Sequence, residues 1–306
     1  MAISKRNFEC ERDFEKVNRF LSDTYMLNQR VYNWDNGRWS FNRFCIHNNE
    51  EATSNRLWES GVQIWEDDGA IVGVCHYEEP GDYFLQIHPK YREIEEEMLI
   101  WAMKNCRELY PDIKIINVSS NFDDEKRKSL LLKYNGIKDE FVDDHRKLTI
   151  NKKFELPNIP EGYKIINIDT SNTDMCKKVA ELYTRIWPTS VYMPNGETVM
   201  SFVNSPAFNS ELSFVVVNEK DEYVAFYVLW SDSYNKHAHL YPFGIDPKYR
   251  KGVIPKVILG VGIHTLYNRG FESLTLSAWY SEEEEVVFES FGFVKTGYGE
   301  TYKLKL

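Results

Sequence analysis

Apolar residues recur at helical spacing near the start of each half of this chain. Phe14, Val17, Phe20 and Leu21 share one face of a helix predicted over Glu11 to Leu27, and Met175, Val179, Leu182 and Ile186 repeat the pattern before Trp187-Pro188 ends it. Runs with strand character follow each helix, Ala70-Ile71-Val72-Gly73-Val74 in the first half and Tyr223-Val224-Ala225-Phe226-Tyr227 in the second. Further on, Leu240, Phe243 and Ile245 supply a short strand that Asp246-Pro247 breaks. Helical spacing resumes at once, with Val253, Val257 and Val261 in one row and Ile254 and Ile258 in another, and Leu274 and Leu276 mark a later strand. Pro242 interrupts the strand around it, because proline donates nothing to a sheet ladder, and so predicts a bulge.

The order of elements repeats. Ile87-His88-Pro89-Lys90-Tyr91-Arg92 and Ile245-Asp246-Pro247-Lys248-Tyr249-Arg250 agree at five of six positions, 158 residues apart. Asn135-Gly136-Ile137 and Phe291-Gly292-Phe293 recur at a similar offset, as the pattern of tandem copies of one fold requires. Residues 151–160 carry Pro157 and Pro160 without periodicity and serve as a linker between a domain over 1–150 and another over 161–306. Strands alternating with helices place each copy in the mixed α/β class.

The turn at Arg250-Lys251-Gly252 is where chemistry concentrates. A helix beginning at a strand end presents amides without intrahelical acceptors and about half a positive charge, and Arg250, Lys251 and Lys256 add cations there. Such a place suits a pyrophosphate. The run Ile-Asp-Pro-Lys-Tyr-Arg-Lys-Gly-Val-Ile-Pro-Lys, 245–256, resembles the signature V-x-P-x-[YF]-R-x-x-G-x-[GA] of the GCN5-related N-acetyltransferases, and Val287-Phe288-Glu289-Ser290-Phe291-Gly292-Phe293 resembles their l-Y-e-x-x-G-F. The resemblance covers nearly the whole chain. It implies two GCN5-like domains, each a splayed mixed sheet flanked by helices. It also implies an acetyl-CoA site at Arg250, Lys251, Gly252, Val253, Ile254, Pro255 and Lys256, with backbone contacts to pantetheine from Phe243, Gly244 and Ile245.

The two turns differ in sign. After Tyr91 the first copy reads Arg-Glu-Ile-Glu-Glu-Glu, without glycine, whereas the second carries three positive charges and none negative, so the first is expected to be a degenerate scaffold and the second the cofactor site. The second turn still departs from the signature. Val253 and Pro255 stand where the family has glycines, leaving Gly252 to serve one residue early. Phe288 replaces the family's proton-donating tyrosine, which makes Tyr280 the nearest phenol, and Ser281-Glu282-Glu283-Glu284 reads as a capping box. His239 lies where the family often has a glutamate, and imidazole can act as a base at neutral pH. The bland alternative for His239 is a structural strand histidine. The aromatic segment from Val31 to Phe44 sits where a first loop would wall the substrate cleft, against the ordinary reading of core packing.

Composition then narrows the class. A net charge of -10 disfavours nucleic acid and is compatible with a cationic or amine substrate. Cys10, Cys45, Cys75, Cys106 and Cys176 form no C-x-x-C pair, and the seven histidines show neither H-E-x-x-H nor H-x-x-x-H, so no metal is expected. Unpaired thiols, the absence of an apolar span and a charged N-terminus suggest a cytoplasmic protein not associated with membranes. Two functions fit: an acetyltransferase transferring acetyl from acetyl-CoA to a small-molecule amine by direct attack in a ternary complex, or an inactive member that keeps the fold as a binding or interaction module. The variable loops that recognise the acceptor leave its identity open.

Overall fold

A computed structural model describes residues 3–47, 57–189, 194–278 and 282–306. The chain divides into two compact units, one comprising Met1–Asp35, Asn49–His145 and Gly297–Leu306, the other Asn36–Asn48 and Arg146–Thr296. No helix among the described residues is long and apolar enough to cross a membrane.

In the first unit, helix α1 (Cys10–Asn28) buries Phe14, Val17, Phe20 and Leu21, the face predicted from the spacing. The sheet runs β1 (Ser4–Asn7), β2 (Gln63–Asp67), β3 (Ala70–Tyr77), β4 (Asp82–Ile87), β5 (Ile115–Asn121), then Gly299–Lys305 of β12 (Val294–Lys305), followed by β6 (Ile137–Thr149). Neighbours from β1 to β4 are antiparallel, as are β5 and β12, while β4 and β5 run parallel. That parallel pairing lasts only for Asp82 with Asn117 and Tyr83 with Val118, after which the strands part. Helix α2 (Asn36–Phe41) belongs to the other unit, and α3 (Glu95–Leu109) and α4 (Glu125–Lys133) follow β4 and β5. Met98, Leu99, Ala102 and Cys106 are the buried stripe of α3.

The second unit repeats the order. Helix α5 (Thr173–Ile186) starts on Asn172, whose side chain accepts from the Met175 amide at 3.0 Å, and buries Met175, Val179, Leu182 and Ile186. The sheet runs β11 (Ser273–Ala278), β10 (His237–Ile245), β9 (Tyr223–Asp232), β8 (Ser213–Asn218) and β7 (Tyr163–Asn167), with β10 and β11 parallel and the rest antiparallel. Helix α6 (Gly196–Met200) packs on α5, α7 (Ile254–Asn268) follows β10, and α8 (Glu282–Phe291) precedes β12. The apolar rows of α7 are buried at Ile254, Val257, Ile258 and Val261, and Ile254, Ile258 and Val261 share a core with Leu240, Ile245, Leu274 and Phe288.

Pro242 does what its chemistry requires. The register between β10 and β9 shifts between Leu240 and Phe243, and the Tyr241-Pro242 peptide is cis. Aromatic residues of the early segment pack inward: Trp34 meets His76 edge-on at 4.4 Å in the first unit, and Phe41 meets Tyr241 at 4.9 Å in the second. They are core, the ordinary reading of such a cluster.

Candidate functional site

Parallel pairing of β10 with β11 covers His237 with Ser273, Ala238 with Leu274, and His239 with Thr275, and then stops. His239 and Thr275 thus stand at the closed end of a V. Beyond them, Phe243 to Ile245 pair with β9, and among the described residues no strand pairs with their other edge. Since the Asp246 amide donates to the Val224 carbonyl on β9, the alternation of an antiparallel ladder turns the backbone groups of Phe243 and Ile245 toward the opened side. Gly244 lets α5 close on this strand, for a Cβ there would come within 2.7 Å of the Trp187 ring and 2.8 Å of Ile186. The backbone of Phe243 and the Ile245 amide can offer an extended ligand a strand edge, while the Ile245 carbonyl accepts from Arg250.

The turn that follows is held by its own side chains. Asp246 accepts from the Lys248 amide at 3.0 Å, and Arg250 donates to the Ile245 carbonyl at 3.1 Å and the Ile186 carbonyl at 3.4 Å. Arg250 therefore ties the turn to β10 and α5 as well as adding charge. Lys251 and Lys256 are exposed. Gly252 adopts φ of 141°, a conformation that side chains resist, so it does supply the turn one residue earlier than the signature places a glycine. Val253 is exposed and caps α7 without a side-chain bond, Ile254 begins the helix, and Pro255 is buried in its first turn. The amides of Ile254 and Lys256 have no intrahelical acceptor, whereas Pro255 contributes none.

Around His239 lies a chain of buried polar groups. Its Nδ1 is 3.0 Å from the Thr275 hydroxyl; that hydroxyl is 3.0 Å from His237 Nε2; and His237 Nδ1 is 3.0 Å from the Ser273 hydroxyl. His237 and His239 are each 2% exposed, Thr275 1%. Burial, reinforced by His239 and Lys147 nearby, pushes the His237 pKa well below 6.5, so the ring is neutral at neutral pH. Ser273 and Thr275 escape the sequence reading, although Ser273-Leu274-Thr275-Leu276-Ser277 alternates at the strand period and so puts its hydroxyls on one face. Phe288 is buried between Phe243 and Phe293, an apolar side chain in an apolar place. Tyr280 and Ser281 lie outside the described residues.

The corresponding V of the first unit is filled from within. Arg127 of α4, 4% exposed, donates to the Leu85 carbonyl on β4 at 2.9 Å and the Ser119 carbonyl on β5 at 3.5 Å, bridging the parted strands. The Asn33 side chain pairs with Ile87 as a strand would, accepting from its amide and donating to its carbonyl, both at 3.0 Å. Glu95, in the first turn of α3 and 1% exposed, binds Arg127 and accepts from Arg92 at 2.8 Å. Arg92 also binds Asp124 at 2.8 Å, and Tyr32 donates to Asp124 at 2.9 Å. A buried carboxylate lies in the first turn of the helix, and an internal guanidinium and amide hold the strand edges. Among the described residues, no group of three or more His, Cys, Asp or Glu side chains is placed to hold a metal ion.

No protein-family model and no curated protein sequence matches the chain. Solved structures do. A GCN5-related N-acetyltransferase from Sphaerobacter thermophilus superposes with a TM-score of 0.66 at 12% identity, over 99% of this chain and 95% of that one. A tandem GNAT protein from the clavulanic acid biosynthesis pathway gives 0.65 at 12% identity, over 99% and 98%. Saccharomyces cerevisiae N-myristoyltransferase with bound myristoyl-CoA gives 0.58 at 11% identity, over 99% and 79%. The fold is that of the GCN5-related N-acetyltransferases, in tandem.

Proposed function

We propose that this chain is an acyltransferase that moves the acetyl group of acetyl-CoA to an amine of a small molecule, with one cofactor site, in the second unit. The observation that carries this reading is the contrast between two V-shaped openings of one fold: Arg127 and Asn33 occupy both strand edges of the first, whereas in the second, among the described residues, only the Ile245 carbonyl is taken, by Arg250, and the backbone of Phe243 and the Ile245 amide face the parting strands. The fold supports acyl-CoA chemistry in general. Opposite charge at the two helix starts supports the division of roles, because a pyrophosphate is repelled by Glu93, Glu95, Glu96 and Glu97 and attracted by Lys251 and Lys256. Unpaired cysteines, four of them buried, fit a cytoplasmic setting.

In this reading the pantetheine arm lies along Phe243 to Ile245 and the pyrophosphate meets the amides from Gly252 to Lys256. The amine nitrogen attacks the thioester carbonyl in a ternary complex; the C–N bond forms, the C–S bond breaks, and the amine gives up a proton. His239 takes that proton at the closed end of the V. Phe288 has none to give, so the leaving thiolate is protonated by water or by Tyr280.

Calorimetric titration with acetyl-CoA tests the site. One site per chain is expected, and Lys251→Glu with Lys256→Glu should reduce affinity at least tenfold, the equivalent of about 1.4 kcal/mol, without unfolding. Arg250 is left in place because it ties the turn together. Two equal sites, or a double variant that binds as wild type does, overturns the assignment. Thiol release across a panel of amines separates the enzyme from an inactive binding module, which would bind acetyl-CoA and release nothing.

A further inference from the structure

His239 is joined to Thr275, His237 and Ser273 by successive hydrogen bonds, and their order suggests a task. We propose that Ser273, His237, Thr275 and His239 form a proton relay, in which Thr275 couples the two imidazoles and the amine's proton leaves the closed end of the V without either ring remaining charged. The inference rests on His239 being the base of the proposed reaction.

The argument starts from a single hydroxyl hydrogen. Thr275 Oγ1 lies 3.0 Å from His239 Nδ1 and 3.0 Å from His237 Nε2, and the threonine is 1% exposed. A hydroxyl donates once, so it satisfies both rings best by accepting from one and donating to the other. Two arrangements result. In the first, His239 Nδ1–H donates to Thr275, Thr275 donates to His237 Nε2, and His237 Nδ1–H donates to Ser273; both rings carry their proton on Nδ1. In the second every bond is reversed, and both carry it on Nε2.

Passing one proton along the chain converts the first arrangement into the second. A proton arrives at His239 Nε2, Nδ1–H transfers to Thr275, the Thr275 proton transfers to His237 Nε2, His237 Nδ1–H transfers to Ser273, and the Ser273 hydroxyl proton leaves to water. One N–H forms at His239 and one O–H breaks at Ser273, with no net charge left behind. Turning the two hydroxyls and returning the protons resets the chain. The alternative, a lasting imidazolium, is costly among residues about 2% exposed, and Lys147 adds like charge from β6. Burial is the largest influence on His237, followed by His239 and Lys147, all disfavouring the charged ring; the one opposing influence is a hydrogen bond to the Ser273 backbone.

The pair tied at the end of β10 and β11 would look the same if it were only a polar fastening, so the test must read protons. In full-length protein labelled with 15N, imidazole NMR at neutral pH should show His237 and His239 both neutral and both in the Nδ1–H tautomer. Thr275→Val, equal in shape but without the hydroxyl, should uncouple them and move at least one ring to the other tautomer, while Thr275→Ser restores the pattern. Opposite tautomers in wild type, or no response to Thr275→Val, overturns the relay. With acetyl-CoA and saturating benzylamine, Thr275→Val should lower kcat about 100-fold at unchanged acetyl-CoA affinity and turn a bowed proton inventory linear. Wild-type kcat in Thr275→Val alongside an inactive His239→Ala removes the relay and keeps the base. Full activity in His239→Ala removes the base.

Discussion

His237 must enter the folded chain without its proton, and that ties stability to pH. Its folded pKa lies well below the 6.5 of an unfolded imidazole because the ring is desolvated, with His239 and Lys147 nearby. The unfolded chain therefore binds the extra proton as pH falls below about 6.5, while the folded chain does not. Stability from this residue is complete above about pH 6.5 and declines on acidification by about 1.4 kcal/mol per pH unit until the folded pKa is reached. Urea unfolding at pH 7.5, 6.5 and 5.5 should show that loss in wild type and a shallower one in His237→Asn; equal slopes would mean that the ring is charged in the folded state. Of this cluster, His239 was legible in the sequence by its place in the strand. His237, Ser273 and Thr275 were not, since the two hydroxyls stand thirty-six residues downstream of the histidines they meet and only the parallel register brings them alongside.

Two pairs of parting strands carry opposite fates, and the element that decides between them is a helix. In the first unit α4 delivers Arg127 across the gap between β4 and β5, where its guanidinium meets buried Glu95. Removing Arg127 leaves buried Glu95 with Arg92 alone and unties the Leu85 and Ser119 carbonyls, so Arg127→Met should cost about 3–5 kcal/mol of stability, and adding Glu95→Met should recover part of it. Denaturant titration of the single and double variants checks this, and a double variant as unstable as the single one would refute the pairing. Such a cost is larger than that of an exposed ion pair such as Lys5 with Glu97, for which less than about 1 kcal/mol is expected. The acidic run after Tyr91 was legible by its sign, and the bulge in β10 was legible from Pro242 alone, because both follow from local chemistry. That Glu95 would turn inward to an arginine thirty-two residues away was not. Long-range pairing leaves no period in a sequence.

At the scale of the whole chain, the repeat was legible and the allegiance of particular segments was not. Five identical residues in six revealed two copies, but alternation in a strand names no neighbour. Gly297–Leu306 belongs to the first unit, where Gly299 to Lys305 pair with Asn121 to Ile115 along the whole of β5. Deleting these ten residues should therefore destabilise the N-terminal unit, not merely fray an end: hydrogen exchange in β5 should accelerate sharply, and a synthetic Gly297–Leu306 peptide should restore protection. Unchanged exchange in β5 would show that the pairing contributes little. This pairing also sets a timetable on the ribosome. Residues of β5 emerge long before those of β12, and at about 5–20 residues per second the interval is on the order of ten seconds or more. Throughout that time β5 offers an open edge to any other nascent strand, so the unit that is begun first is completed last, and how well the chain is shielded during translation governs its yield.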